Sequence, residues 1–212
     1  HHAQWTRHTI SKNALLLDGL GQKAQSKAST GKITRYEEKP RTVWTTGDAT
    51  KAYSTLQPKD RVKRVTRDLV FIDQRYVVLR DRVVLTTPAK LSWLLHAEKN
   101  LTWNTENNTG LIRGAENKAT LAVQILAQGV SWRSSQTDKF PVPVDPKYAT
   151  GEITGTYLSG KWTPQQHLTL ESNESATEFS AYTVLWPDRA PPASAKGRAS
   201  WVEMLAATLA AD

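Results

Sequence analysis

The chain has 212 residues, 39% of them apolar, and no stretch approaches the roughly 20 uncharged apolar residues of a membrane-spanning helix. It contains no cysteine, which excludes disulfide frameworks, thiolate zinc sites and cysteine nucleophiles and leaves histidines and carboxylates as the only metal ligands. Twenty-eight Lys and Arg against 20 Asp and Glu give a formal net charge of +8, which favours polyanionic partners, while eight Trp against three Phe supply flat rings suited to sugars, bases or cross-strand filling.

His1-His2-Ala3-Gln4-Trp5 carries neither a starting Met nor the basic, apolar, small-residue order of a secretory signal. It reads as the start of a processed, engineered or partial polypeptide, with His1 and His2 either native or left from a purification tag. Residues 13–18, closed by the turn pair Asp18-Gly19, read as a strand, as do residues 31–37, where Ile33, Arg35 and Glu37 alternate with Thr34 and Tyr36. Residues 65–72 and 76–85 are β-branched and aromatic runs joined by Asp73-Gln74-Arg75, the pattern of a hairpin. Short β-rich runs continue at 91–96, 111–113, 120–126, 130–134, 152–158, 167–170 and 178–185. Nine or more antiparallel strands must pack as two sheets or close into a barrel. The expected fold class is all-β, an antiparallel β-sandwich of two packed sheets with a short C-terminal helix. Helical period appears only at 199–211, where Trp201, Val202, Met204, Leu205 and Leu209 fall largely on one side, and residues 187–198, with three Pro, read as a linker. The expected division is a sandwich domain over 1–187, then a linker and terminal helix over 188–212 packing on it.

No phosphate loop, dinucleotide fingerprint, metalloprotease helix or nucleophile elbow occurs. Histidines suit acid and base work near neutrality, and five are present, at 1, 2, 8, 96 and 167. His96 closes an apolar run and His167 opens another, positions that suit strand histidines bonded to backbone. His1, His2 and His8 lie with Arg7 and Lys12 in a dense cluster of imidazole and cationic groups, open to a functional or a structural reading. A second basic stretch runs through Lys59, Arg61, Lys63, Arg64 and Arg67 and continues in Arg75, Arg80 and Arg82. Strand alternation turns Arg61, Lys63 and Val65 to one face and Val62, Arg64 and Thr66 to the other. A solvated sheet face and a polyanion-binding surface both account for that split. No nucleic-acid reading module is visible.

Three blocks then carry a resemblance. The first is Trp5-Thr6-Arg7-His8-Thr9-Ile10-Ser11-Lys12-Asn13-Ala14-Leu15-Leu16-Leu17-Asp18-Gly19, followed by Gly21-Gln22. The second is Gly47-Asp48-Ala49-Thr50, then Arg64 to Phe71, Tyr76 to Val83 and Trp93-Leu94-Leu95-His96. The third is Gln166-His167-Leu168-Thr169-Leu170, leading into Phe179 and Thr183-Val184-Leu185-Trp186-Pro187. In their order and spacing these blocks resemble the C-terminal β domain of the heparinase II/III-like polysaccharide lyases, nearest to the oligoalginate lyase branch.

The resemblance implies a two-part enzyme in which an N-terminal α/α toroid supplies the catalytic Tyr and His and an antiparallel sandwich closes the cleft. This chain resembles the second part, so it implies no catalytic residue here and no cofactor. The implied chemistry is β-elimination from a uronate-containing, alginate-like polysaccharide: a base removes the C5 proton, the neighbouring carboxylate is neutralised, and the 4-O-glycosidic bond breaks. Arg, His and Asn suit the neutralising task. His1 and His2 look like the remnant of a His-rich stretch, and Gln4 stands where relatives commonly carry Asp. The candidate substrate-binding residues are His1, His2, Trp5 as a sugar-stacking ring, Arg7 and Asn13. Some relatives bind a structural zinc through His and Asp. Here His96 and Asp48 are the nearest groups, two scattered residues short of a four-coordinate set. The implied partners are an acidic polysaccharide or oligosaccharide and the toroid of the same protein, with no nucleic acid or membrane, in a periplasmic or secreted location. The competing readings are a non-catalytic module binding acidic glycans and a purely structural sandwich.

Overall fold

The computed structural model describes residues 5–56, 58–114, 116, 118–139, 152–153, 160–161 and 165–188. Its strands are β1 (Leu15–Leu17), β2 (Lys32–Lys39), β3 (Thr42–Asp48), β4 (Val62–Ile72), β5 (Tyr76–Ala89), β6 (Leu91–Ala97) and β7 (Leu101–Asn104). They continue as β8 (Thr109–Arg113), β9 (Thr120–Gln128), β10 (Trp132–Thr137), β11 (Glu152–Ile153), β12 (Gly160–Lys161), β13 (Gln166–Ser172) and β14 (Ala176–Asp188). One short helix, α1 (Thr50–Tyr53), follows β3.

Long β-branched runs and strict turn chemistry make these strands. β4 and β5 are joined through Asp73 and Gln74, whose φ angles of 55° and 53° lie in the left-handed region that two-residue hairpin turns of matching twist require. Arg75 N–H donates to the Ile72 carbonyl across that turn at 2.9 Å. Eight strands pair in the order β2-β3-β4-β5-β14-β9-β8-β7 and four in the order β1-β6-β13-β10, all antiparallel, with β11 and β12 forming a separate pair. The two large sheets face each other, as the sequence pattern requires. Val65, Val83 and Phe179 of the eight-stranded sheet pack with Leu17, Leu91, Trp93, Leu168 and Leu170 of the four-stranded one. Each such side chain removed from water contributes about 1.5–3 kcal/mol. The reverse face of the larger sheet carries a second buried cluster of Val70, Val78, Tyr182 and Val184.

Strand alternation does not hold at the start of β4. A bulge between Val62 and Arg64 inserts one residue, so Val62 and Val65 both turn into the core and Lys63 is left outside the alternation. Arg61 is not a solvated charge either: it is buried, donates to Asp18 Oδ2 and to the Pro88 carbonyl, both at 2.6 Å, and ties β1 to the end of β5.

Strand β1 is an edge of the smaller sheet, and its free side is capped internally. Tyr53 Oη donates to the Leu15 carbonyl at 2.7 Å, Leu17 and Leu20 exchange backbone bonds, and Arg67 Nη1 donates to the Asn13 carbonyl at 2.7 Å. Such capping removes the unpaired groups that would recruit another strand. The sequence pattern misses β3, β7, β12 and α1. Every residue of β3 is half-buried, with Thr on both faces and Val43 beside Trp44, so no apolar alternation marks it. Of the expected 152–158 run only Glu152–Ile153 is described, and the linker beyond Asp188 and the 199–211 helix lie outside the described residues.

Candidate functional site

The segment ahead of β1 is the part of the chain in which the cluster of His and cations falls. His1 and His2 lie outside the described residues. From Trp5 onward the segment is held by short-range bonds. Lys12 Nζ donates to the Thr6 carbonyl at 2.6 Å, Ser11 Oγ to the His8 carbonyl at 2.9 Å, and Lys12 N–H to the Thr9 carbonyl at 2.9 Å, closing one 3₁₀ turn over Thr9–Ser11. Gln22 N–H donates to Thr9 Oγ1 at 2.8 Å. The backbone approach there is so close that a Cβ on Gly21 would sit 2.2 Å from Thr9 Cβ, and only glycine fits.

Two strand histidines form the seat. Antiparallel register sets His96 of β6 directly opposite His167 of β13, and their Nδ1 atoms meet at 2.8 Å. One ring must donate and the other accept, so the two facing Nδ1 atoms share a single proton. Burial holds His96 below the usual imidazole value, against the pull of the Ile10 and Lys12 carbonyls, and the Lys12 cation adds to the lowering. Burial and then His96 push His167 down to about 4, opposed by Asp138. Trp5 lies edge-on to both rings, with centroids 5.9 Å from His96 and 5.1 Å from His167. Only 2% of Trp5 is exposed, so in this chain its ring is a plug over the histidine pair and offers no open face to a sugar. Asn13 Oδ1 accepts from His96 N–H at 2.8 Å, which spends that side chain on anchoring as well. Arg7 differs: it is half-buried, and its Nε has no hydrogen-bond partner among the described residues.

Beside this seat is an ion pair between half-buried Arg67 and buried Asp81. Arg67 Nε and Nη2 donate to the two Asp81 oxygens at 2.6 and 2.9 Å, while Nη1 reaches back to the Asn13 carbonyl. Burial works to lower the Arg67 value, but the Asp81 carboxylate outweighs it and holds the guanidinium above its ordinary range. Burial pushes the nearby Tyr53 hydroxyl up to about 12, so it stays a proton donor to the Leu15 carbonyl. A cavity of about 420 Å³ opens here, bordered by Ala14, Leu15, Lys32, Tyr53, Arg67 and Asp81.

The residues do not fit a zinc centre. His96 is bonded to His167, whereas Asp48 accepts from Thr50 N–H at 2.9 Å and is held below the usual carboxylate value by Thr50. Among the described residues no group of three or more His, Cys, Asp or Glu converges. Sequence reasoning named neither His167 nor Arg67 with Asp81 as a site group. The signal for the first was present: both histidines end apolar strand runs at places that an antiparallel pairing brings together.

Comparison with known proteins accords with this architecture. The family model described as "Heparinase II/III-like, C-terminal" matches residues 1–185. No curated protein matches. Among solved structures, heparan sulfate lyase HepC from Pedobacter heparinus is 14% identical with a TM-score of 0.62, covering 88% of this chain and 26% of that one. The heparinase III BT4657 gene product is 13% identical with a TM-score of 0.58, covering 86% of this chain and 25% of that one. At those identities the likeness is one of fold, and the chain spans about a quarter of each structure's length. Since the model covers nearly the whole described sandwich, from the anchored leading segment into β14, the chain belongs to the heparinase II/III-like C-terminal family.

Proposed function

We propose that this chain is the C-terminal β domain of a polysaccharide lyase that cleaves a uronate-containing, alginate-like polysaccharide by β-elimination. The observation that carries the reading is the family match over residues 1–185. In this reading the principal acid and base belong to an N-terminal α/α toroid, and the protein works in the periplasm or outside the cell. The base takes the C5 proton, the electron pair moves to form the C4–C5 double bond, and the 4-O leaving group departs with a proton. Charge builds on the sugar carboxylate during that step, so a guanidinium aimed at it lowers the barrier. Arg7 is the group of the leading segment suited to that part, with His1 and His2 beside it in sequence. Trp5 and Asn13 support them from behind by fixing the segment on the His96 and His167 pair.

The test uses ultraviolet absorbance of the unsaturated product, with oligomannuronate, oligoguluronate and heparan fragments as substrates. A polypeptide that carries this domain together with its toroid is expected to turn over the uronate oligomers, and the 212-residue chain alone to give no product. Turnover by the isolated chain would refute the placement of the base. Turnover confined to heparan fragments would refute the alginate-like substrate.

A further inference from the structure

We propose that the reverse face of the eight-stranded sheet carries a second binding site, built on Arg64 and Arg82, for a carboxylate or sulfate oxyanion of an acidic oligosaccharide. The sugar chain as the source of the oxyanion rests on the function proposed above; the oxyanion chemistry rests on the groove itself.

Register builds the site. Thr66, Arg82, Ser180 and Gln128 are directly paired across β4, β5, β14 and β9 and form one row. Arg64, Val84 and Glu178 form the adjacent row. Alternation puts both rows on the side of Val70, Val78 and Val184, away from the inter-sheet core. Arg64 and Arg82 are thus diagonal neighbours, about 7–8 Å apart at the backbone, a spacing that lets two long guanidinium side chains close on one anion. They border a groove of about 390 Å³ shared with Gln128, Glu178 and Ser180.

Charge along this face is uneven. The next row inward holds Asp68, which accepts from Thr46 Oγ1 at 2.6 Å and Trp44 Nε1 at 3.3 Å and lies 4.0 Å from Arg80 Nε. That guanidinium has its carboxylate. Among the described residues the side chains of Arg64 and Arg82 make no hydrogen bond or ion pair. Two carboxylates face them: Glu178 in the groove wall, and Asp48, which the Thr50 hydrogen bonds, and then the Lys32 and Arg64 cations, hold below the usual carboxylate value. Three cations, Arg64, Arg82 and Lys32, therefore meet two acids. Planar guanidinium forks recognise carboxylate and sulfate in bidentate fashion, and the Ser180 and Thr66 hydroxyls and the Gln128 amide of the same row add neutral donors. Toward the sheet edge Lys32 of β2 extends the cationic file; Arg35, stacked 3.8 Å over the Trp44 ring, is already paired with Glu37 at 2.6 Å and adds no net charge to it. From β5 to β2 the file crosses three strand spacings, about 14 Å, the reach of a short sugar chain rather than of one ion.

Titration calorimetry on the 212-residue chain tests this, with a uronate hexamer, a sulfated hexasaccharide, inorganic sulfate and neutral cellohexaose as separate probes. At low salt one or both acidic hexamers are expected to bind, Arg82→Gln and Arg64→Gln each to weaken that binding about tenfold, and Lys99→Gln on the β6–β7 turn to leave it unchanged. Added salt should weaken it further. Unchanged affinity in both arginine variants, with melting curves like the parent's, overturns the site; should Arg82→Gln fail to fold, the exposed Arg64→Gln decides alone. Equal binding of cellohexaose overturns the charge recognition, and arginine-dependent binding of inorganic sulfate without either hexamer overturns the sugar as occupant. Elimination turnover by the larger polypeptide reports on the lyase reading separately. Turnover with no arginine-dependent binding sinks the groove alone, and arginine-dependent hexamer binding without turnover upholds the groove while sinking the lyase.

Discussion

Acid should loosen the seat of the leading segment before it unfolds anything else. In the folded chain His167 is pushed down to about 4, while an exposed imidazole titrates near 6.5. The folded value lies below the unfolded one, so between those limits the unfolded chain binds more protons and stability falls as pH falls. The contribution is complete above about pH 6.5 and is gone below about pH 4. Converted at 1.36 kcal/mol per pH unit, a depression of that size sets an upper bound of about 3 kcal/mol, and partial solvent access to the rings reduces it to about 1–2 kcal/mol. The perturbation is a pH series from about 7.5 to about 4.5, applied to the parent chain and to His167→Gln, which keeps a polar neutral group on β13. Urea unfolding followed by tryptophan fluorescence gives the free energy at each pH. The parent should lose about 1–2 kcal/mol more than the variant across the series, with the excess loss beginning below pH 6.5. Carboxylates titrate in both proteins and cancel in the comparison. Parallel curves for parent and variant would refute the reasoning, because they would mean that protonating the buried pair, joined at 2.8 Å, carries no cost.

Two further substitutions probe the anchors. Asp81→Asn removes the charge that faces Arg67, with Asp81 only 1% exposed, and should cost about 2–4 kcal/mol in urea unfolding; the apolar pair Arg67→Met with Asp81→Leu should recover most of it. A loss that persists in the double variant would show that the Arg67 bond to the Asn13 carbonyl, rather than the ion pair, carries the stability. Gly21→Ala puts a methyl carbon where Thr9 Cβ now lies 2.2 Å away, so the 3₁₀ turn must move; a loss of about 1–3 kcal/mol with a red-shifted Trp5 emission is expected, and an unchanged spectrum would contradict the packing described.

Where apolar alternation is strong the sequence already specifies the strand. The runs around Val65, Val83, Leu91, Val123 and Leu168 supply the two core layers, because each turns apolar side chains to the inner face with the period of a strand. Alternation says nothing of β3, whose Thr and Gly residues gain their pairing from neighbours on both sides, nor of the bulge at Lys63, which depends on how β4 meets Leu85. The leading segment is legible only as a dense set of chemical groups. Which of them face outward depends on contacts more than seventy residues away: His96 and His167, 71 apart, meet through strand register, and Trp5 then covers them. A tryptophan ahead of a basic cluster reads equally well as a platform or a plug, and the partner that decides between them has no local signature.

This arrangement explains how the segment ahead of β1 is fixed to the sandwich. A segment that buries little surface tends to fray, since ordering each residue costs about 1–2 kcal/mol of backbone entropy. Here three separate groups of the sandwich oppose that tendency: the histidine pair under Trp5, the Arg67 fork on the Asn13 carbonyl, and Thr9 against Gly21 and Gln22. Each belongs to a different strand or turn, so loss of one leaves the others in place.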